Sequence, residues 1–250
     1  MDLVVLGSGT SVPSLERASA GYLLEAGDRR WIFDTGLGTL HRLLQAGVTC
    51  EQIDRIFFSH AHIDHHLEIV HILFQNNYFL APRVRDLDIY GSEKFLEFFR
   101  RLRDLYGKWI EPRHYRLQCH DLTNREIGID GFEVSARTVA HIPSSVAYRV
   151  RSPQGRVFVY SGDTDECASL VELARDADLL LLEASTPDGM KAPGHLTPRL
   201  AGQIATRAGV KKLLLTHFYP PCEAIDVEAE CRRTYAGELL LAEDLLRVPI

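Results

Sequence analysis

Residues 60–66 read His-Ala-His-Ile-Asp-His-His, which places five metal-type side chains in seven positions. The run before them, Ile53-Asp54-Arg55-Ile56-Phe57-Phe58, is largely apolar and gives way to polar residues at Ser59. A strand that stops there must hand those polar residues to a loop at a sheet edge. In extended backbone, residues two apart point the same way, so His60 and His62 can reach one cation. Asp64 and His65 then turn away and can reach a second. Neutral imidazoles with a carboxylate suit Zn2+, and also Mn2+ or Fe2+.

Clustered histidines alone would fit an ordinary polar loop, but the rest of the chain repeats the device. The apolar stretch 134–140 ends at His141, and 157–160 ends at Ser161-Gly162-Asp163-Thr164. The stretch 179–182 ends at Glu183, and 213–216 ends at His217. One such residue is weak evidence. Several polar residues held at strand ends by a rigid scaffold form the usual layout of a functional site.

The remaining chain is compatible with a layered α/β fold. Strands are expected at 3–6, 22–25, 31–33, 87–90, 115–119, 132–139, 146–150, 156–160, 179–183 and 212–216. Helices are expected at 37–46, 67–79, 92–106 with Ser92 as cap, 167–175, 198–208 with Thr197 as cap, and 227–235. No repeat or linker divides the chain, so a single 1–250 unit is expected, with an ordinary hydrophobic fraction of 46%. A net charge of −6 and a pI near 6.0 do not advertise a nucleic-acid surface. Local basic groups exist at Arg100, Arg101, Arg103 and Lys108, and at Arg113 and Arg116. Cys50, Cys119, Cys167, Cys222 and Cys231 form no C-x-x-C, so neither a disulfide framework nor a thiolate zinc site is expected. The N-terminal residues run straight into a strand, with no leader-like or membrane-length apolar segment; the cytoplasm is the expected location.

Taken together, His60-x-His62-x-Asp64-His65, His141, Asp163 and His217 resemble the metallo-β-lactamase superfamily. The resemblance implies an αββα four-layer sandwich with two metal ions, expected as two Zn2+, at one edge of the sheets. It puts His60, His62 and His141 on one metal, and Asp64, His65 and His217 on the other. Asp163 bridges them, and Asp34 orients a ligand imidazole. Within the superfamily, Glu183-Ala184-Ser185 resembles part of the His-Glu-Ala-Thr segment of the ribonuclease Z family, with Leu182 in place of the histidine. Gly194-His195-Leu196-Thr197 resembles that family's His-x-Thr segment. By this resemblance Asp64, His195 and Glu183 are the candidate catalytic residues, with His195 as the general acid and Glu183 as its partner.

That family commonly has an arm for tRNA between the third ligand histidine and the bridging aspartate. Here residues 142–162 read as a hairpin, and Glu68 stands where the family commonly has glycine. The expected substrate is therefore a phosphodiester, either a small nucleotide or an RNA 3′ end. Two metal ions at about 3.5–4 Å can stabilise both attacking and leaving oxygens of such a substrate. The alternatives are an acyl hydrolase (lactonase, thioesterase or β-lactamase-like) on the same metals, and a non-catalytic nucleic-acid-binding or assembly module. The aromatic segment Phe95–Phe99 with Tyr106 and Trp109 reads as a core face; its other reading is a substrate lid or a homodimer face.

Overall fold

The four leucines at 179–182 are all buried, and they alternate between two different apolar cores. Leu179 and Leu181 join one core; Leu180 and Leu182 join another. Leu3 and Val5 share the first of these cores, whereas Val4 and Leu6 enter a third. A strand that is apolar on both faces needs cover on both, so the chain builds four layers. The computed structural model describes residues 1–78 and 80–250.

The first sheet contains β1 (Asp2–Gly7), β2 (Gly21–Ala26), β3 (Arg29–Thr35), β4 (Arg55–Phe57), β5 (Leu87–Gly91) and β6 (Leu117–Asp121). The second contains β7 (Glu126–Ile129), β8 (Phe132–Thr138), β9 (Val146–Arg151), β10 (Val157–Tyr160), β11 (Leu179–Glu183), β12 (Lys212–Thr216) and β13 (Glu238–Leu241). A last strand, β14 (Arg247–Pro249), returns to the first sheet. The orders are β14-β1-β2-β3-β4-β5-β6 and β13-β12-β11-β10-β9-β8-β7. Pairing is parallel from β3 to β6 and from β10 to β13, and antiparallel elsewhere. Helices α1 (Thr39–Gln45), α3 (Ile69–Gln75) and α4 (Glu93–Tyr106) cover the first sheet; a short turn of helix, α2 (Ile63–His66), precedes α3. Helices α5 (Ala168–Leu173), α6 (Pro198–Ala208) and α7 (Val227–Arg232) cover the second. This is the expected αββα sandwich.

The inner core joins the two sheets through aromatic rings. Tyr148 of the second sheet sits edge-on to Phe33 at 5.8 Å and to Phe57 at 5.4 Å, both of the first. Three buried tyrosine hydroxyls also cross the seam. Tyr22 meets Thr216 Oγ1 at 2.9 Å, Tyr148 donates to the Phe58 carbonyl at 2.7 Å, and Tyr160 donates to Asp34 Oδ2 at 2.5 Å. Burial, first of all, pushes all three phenols well above their ordinary pKa, so they remain protonated donors.

Several local expectations hold: Ser92 Oγ accepts from Phe95 N at 3.1 Å, and Thr197 caps α6 with Pro198 at its first position. The helix expected at 67–79 is shorter, as α3, with a break between it and α2 at Leu67 and Glu68, and Phe79 lies outside the described residues. Glu68 explains the break. Its buried carboxylate turns back and accepts from Gly38 N at 2.8 Å and Leu40 N at 2.6 Å, capping α1 from outside. Gly38 has no side chain to do so, and an anion suits a helix N-terminus. Strands β7, β13 and β14 were not anticipated. Each lies at the end of a sheet, where one side is unpaired and the apolar pattern weakens. Phe95 and Phe99 are buried in the core, as expected, but Tyr106 and Trp109 are exposed and do not belong to it; Phe98 covers His66 with ring centroids 4.7 Å apart. No helix among the described residues is long and apolar enough to cross a membrane.

Candidate metal centre

The polar residues collect where strands end, at one edge of both sheets. The segment after β4 carries His60 and His62, and α2 carries Asp64 and His65. His141 follows β8, Asp163 follows β10, and His217 follows β12. Two close approaches need glycine: across the halves, a Cβ on Gly162, whose φ is 59°, would lie 2.5 Å from Ser59 Cβ, and within the first half one on Gly36 would lie 2.1 Å from the Asp64 carbonyl.

All seven residues expected around two metals come together. Ligand atoms of His60, His62, His141 and Asp163 lie within 4.8 Å of one another, as do those of Asp64, His65 and His217. Asp163 divides its carboxylate between the groups. Its Oδ2 is 3.6 Å from His60 Nε2 and 3.8 Å from His141 Nε2. Its Oδ1 is 3.3 Å from His65 Nε2 and 3.5 Å from His217 Nε2. His62 turns Nδ1 inward, 3.0 Å from His141 Nε2, and His217 Nε2 is 3.4 Å from Asp64 Oδ2.

The outward nitrogens of four of these rings have hydrogen-bond partners. His65 Nδ1 meets Asp34 Oδ2 at 2.7 Å, and His141 Nδ1 meets the Gly194 carbonyl at 2.8 Å. Both oxygens only accept, so Nδ1 carries the proton and Nε2 presents a lone pair inward. His60 Nδ1 meets Ser59 Oγ at 2.9 Å, and His217 Nδ1 meets Ser185 Oγ at 3.0 Å. Two inward atoms, His60 Nε2 and Asp163 Oδ1, are buried without a hydrogen-bond partner. Such atoms cost about 1–3 kcal/mol each unless something else satisfies them. Five imidazoles and two carboxylates arranged this way fit divalent cations.

The charge states agree. Burial pulls His60 well below its ordinary pKa and also lowers His62 and His141, which favours the neutral ligand form. For Asp163 burial acts upward, but His217 and His65 outweigh it and hold the carboxyl well below the usual range. Asp64 is likewise held at about 2, where burial is outweighed by the hydrogen bond from His217 and the charge of His65. His65 is the exception: burial alone would lower it, but Asp163 and Asp34 override that and raise it, which favours the charged ring until a cation displaces its inward proton.

His195 lies beside this cluster, in the loop between β11 and α6. Its Nδ1 is 3.1 Å and 3.3 Å from the two carboxylate oxygens of Glu183 and 3.9 Å from Asp163 Oδ2. Glu183 is a wider anchor than expected. It also accepts from Thr164 N at 2.7 Å, from Leu196 N at 3.1 Å and from the Ser185 hydroxyl. The His195 side chain keeps 15% of its surface exposed and Glu183 only 1%, so the imidazole can meet a ligand while its partner cannot. Burial lowers the His195 pKa, but the hydrogen bond and charge of Glu183 override it and hold it above the ordinary value. Asp34, besides holding His65, accepts from Ser59 N and Oγ at 2.7 Å and 2.6 Å. Residues not singled out by the sequence include Ser59 and Tyr219, whose ring lies 5.8 Å from His217 and 6.1 Å from His195. His66 is buried against Phe98 and joins none of the ligand groups.

Comparison with known proteins agrees with this geometry. A profile described as the β-lactamase superfamily domain matches residues 18–218. The ribonuclease Z of Kineococcus radiotolerans is 30% identical over 300 positions, covering 100% of this chain and 95% of the relative. The chain belongs to the β-lactamase superfamily and is ribonuclease Z-like. Among solved structures, the short form of human tRNase Z superposes with a TM-score of 0.81 at 26% identity, covering 100% and 99% of the two chains. The metallo-β-lactamase fold protein YhfI of Bacillus subtilis shares the fold, with a TM-score of 0.85 at 24% identity over 99% of each chain.

The superfamily member described here is shorter than its ribonuclease Z relative. That alignment spans 300 positions and this chain has 250 residues, so roughly 50 positions hold a residue of the relative alone. The hairpin of β9 and β10 occupies the segment between His141 and Asp163. Three of the six basic groups are paired: Arg101 with Glu97, Arg103 with Glu111, and Arg116 with Asp86.

Proposed function

We propose that the chain is a binuclear metal-dependent phosphodiesterase of the ribonuclease Z type, acting in the cytoplasm on RNA 3′ ends or small nucleotide diesters. The observation that carries this reading is the His195–Glu183 pair beside the seven-residue cluster. His60, His62 and His141 would hold one cation, and Asp64, His65 and His217 the other, with the Asp163 carboxylate between the two groups. Zinc suits this donor set best, and manganese or iron could replace it. When bound, the two cations supply an activated water and positive charge for the phosphoryl oxygens. Glu183 fixes the Nδ1–H of His195, which leaves Nε2 to carry the proton passed to the leaving oxygen. Asp163 and Asp64 balance the local positive charge.

The same cluster could polarise a carbonyl, which keeps acyl hydrolysis as a second reading, but that reaction has less need of the acid pair. A screen of the purified protein separates the two. Hydrolysis of bis-p-nitrophenyl phosphate and of a short 3′-trailer oligonucleotide is expected, with little turnover of a lactone or β-lactam. The reverse preference would overturn the assignment. Elemental analysis should give close to two transition-metal equivalents per chain; zero equivalents after added zinc or manganese would remove the ligand assignment.

Substrate size follows from the hairpin and the paired arginines. With no arm in that segment and a net charge of −6, the chain gains little from extended phosphate contacts. A short trailer should match or exceed a precursor tRNA in kcat/KM at equal salt. A hundredfold preference for the intact tRNA, about 2.7 kcal/mol of transition-state binding, would contradict this.

A further inference from the structure

We propose that Ser185 is a positioning residue for the second cation position, joining the His217 ring to the Glu183–His195 pair through one hydroxyl. This rests on the ligand assignment above. Ser185 Oγ lies 3.0 Å from His217 Nδ1 and hydrogen-bonds to Glu183 Oε2. A hydroxyl has one proton and two lone pairs, and an ionised carboxylate only accepts. The Ser185 proton therefore goes to Glu183, and its lone pair faces His217. Nδ1 of His217 must then carry a proton, so in the neutral, metal-binding ring Nε2 is the bare nitrogen. That bare nitrogen is the one at 3.2 Å from His65 Nε2, 3.4 Å from Asp64 and 3.5 Å from Asp163.

His217 depends on this tether more than His65 and His141 depend on any hydroxyl. His65 is held by a carboxylate and His141 by a carbonyl; among the described residues, Ser185 Oγ is the hydrogen-bond partner of His217 Nδ1. His217 also adopts a left-handed backbone with φ 62°, off the line of β12, so the strand alone does not aim its ring. Ser185 is well placed to aim it. The residue is fully buried, its N donates to the Leu196 carbonyl at 3.0 Å, and its carbonyl accepts from Tyr219 N at 3.1 Å. The same Glu183 carboxylate accepts from Thr164 N, next to Asp163. One buried anion thus braces the Asp163 loop, the His195 loop and, through Ser185, the ring of His217.

The test is stepwise zinc binding to metal-free wild type, Ser185→Ala and Ser185→Thr, measured against a chromophoric chelator. Ser185→Ala should weaken one of the two constants by about 10–100-fold, the usual effect of removing such a support, and leave the other within about threefold. Ser185→Thr keeps the hydroxyl and should restore most of the loss. In parallel, long-range 15N–1H spectra of the metal-free protein should show His217 as the Nδ1–H tautomer in wild type and a mixture in Ser185→Ala. If Ser185→Thr does not fold, the alanine constants and spectra decide alone. Unchanged constants and tautomer in Ser185→Ala, with two equivalents bound by wild type, overturn the role of Ser185 and leave the ligand assignment standing. Equal weakening of both constants marks general loosening and also overturns it. A wild type that binds fewer than two equivalents overturns the ligand assignment, and this proposal with it.

Discussion

Replacing Asp163 by alanine is expected to reduce kcat/KM by more than about 10⁴-fold, beyond what a single proton-transfer group supplies. Each of its oxygens faces a different ligand group, so one substitution takes a donor from both. It also removes the carboxylate that stands between four imidazoles. Two cations held at close range need that negative charge between them, so bound metal should fall together with activity. The measurement is kcat/KM with metal content and circular dichroism on the same sample. A folded Asp163→Ala protein that keeps two equivalents and a tenth of the activity would contradict the bridging role. Asp163→Asn, which keeps the shape without the charge, should fall between.

The second large effect belongs to His195. His195→Ala should cost about 10²–10⁴-fold on a substrate with a poor leaving group, the range of general acid catalysis. With p-nitrophenolate as leaving group the defect should shrink to within about tenfold, because that anion departs without a proton. Equal defects on both substrates would take His195 out of the acid role. The pH profile gives a further check with a definite sign. Glu183 holds the His195 pKa above its ordinary value, so the acid form persists to higher pH and the rate falls as pH rises through that raised value. Glu183→Gln should move this alkaline limb to lower pH. By linkage, protonated His195 also stabilises the fold below its unfolded pKa, and that contribution is lost as pH rises through the folded value.

Why some of this was legible in the sequence, and some not, has a physical basis. His60, His62, Asp64, His65, His141, Asp163 and His217 each follow an apolar strand, and a polar residue just past such a strand is exposed to inspection. The double-sided burial of residues 179–182 was equally plain, because a central parallel strand is apolar throughout. Ser59 and Ser185 were not legible as ring supports. A serine has no composition signal, and its role depends on which imidazole folds against it. Glu68 was placed inside the helix expected at 67–79 rather than ahead of it, since its use as a cap for α1 depends on residues 28 and 30 positions earlier. The short outer strands were missed because sheet ends require only half of the usual apolar pattern.

The three tyrosine hydroxyls across the seam have a consequence for how the centre keeps its dimensions. Each ends next to the catalytic edge: Thr216 precedes His217, Phe58 lies two residues before His60, and Tyr160 lies three before Asp163. The phenol side chain has a fixed length, so these contacts act as rulers between sheets that pack about 10 Å apart. Loops above the rulers can lengthen, shorten or change charge while the spacing of the donor atoms below stays the same. The scaffold can thus acquire a different substrate grip without resetting its metal geometry.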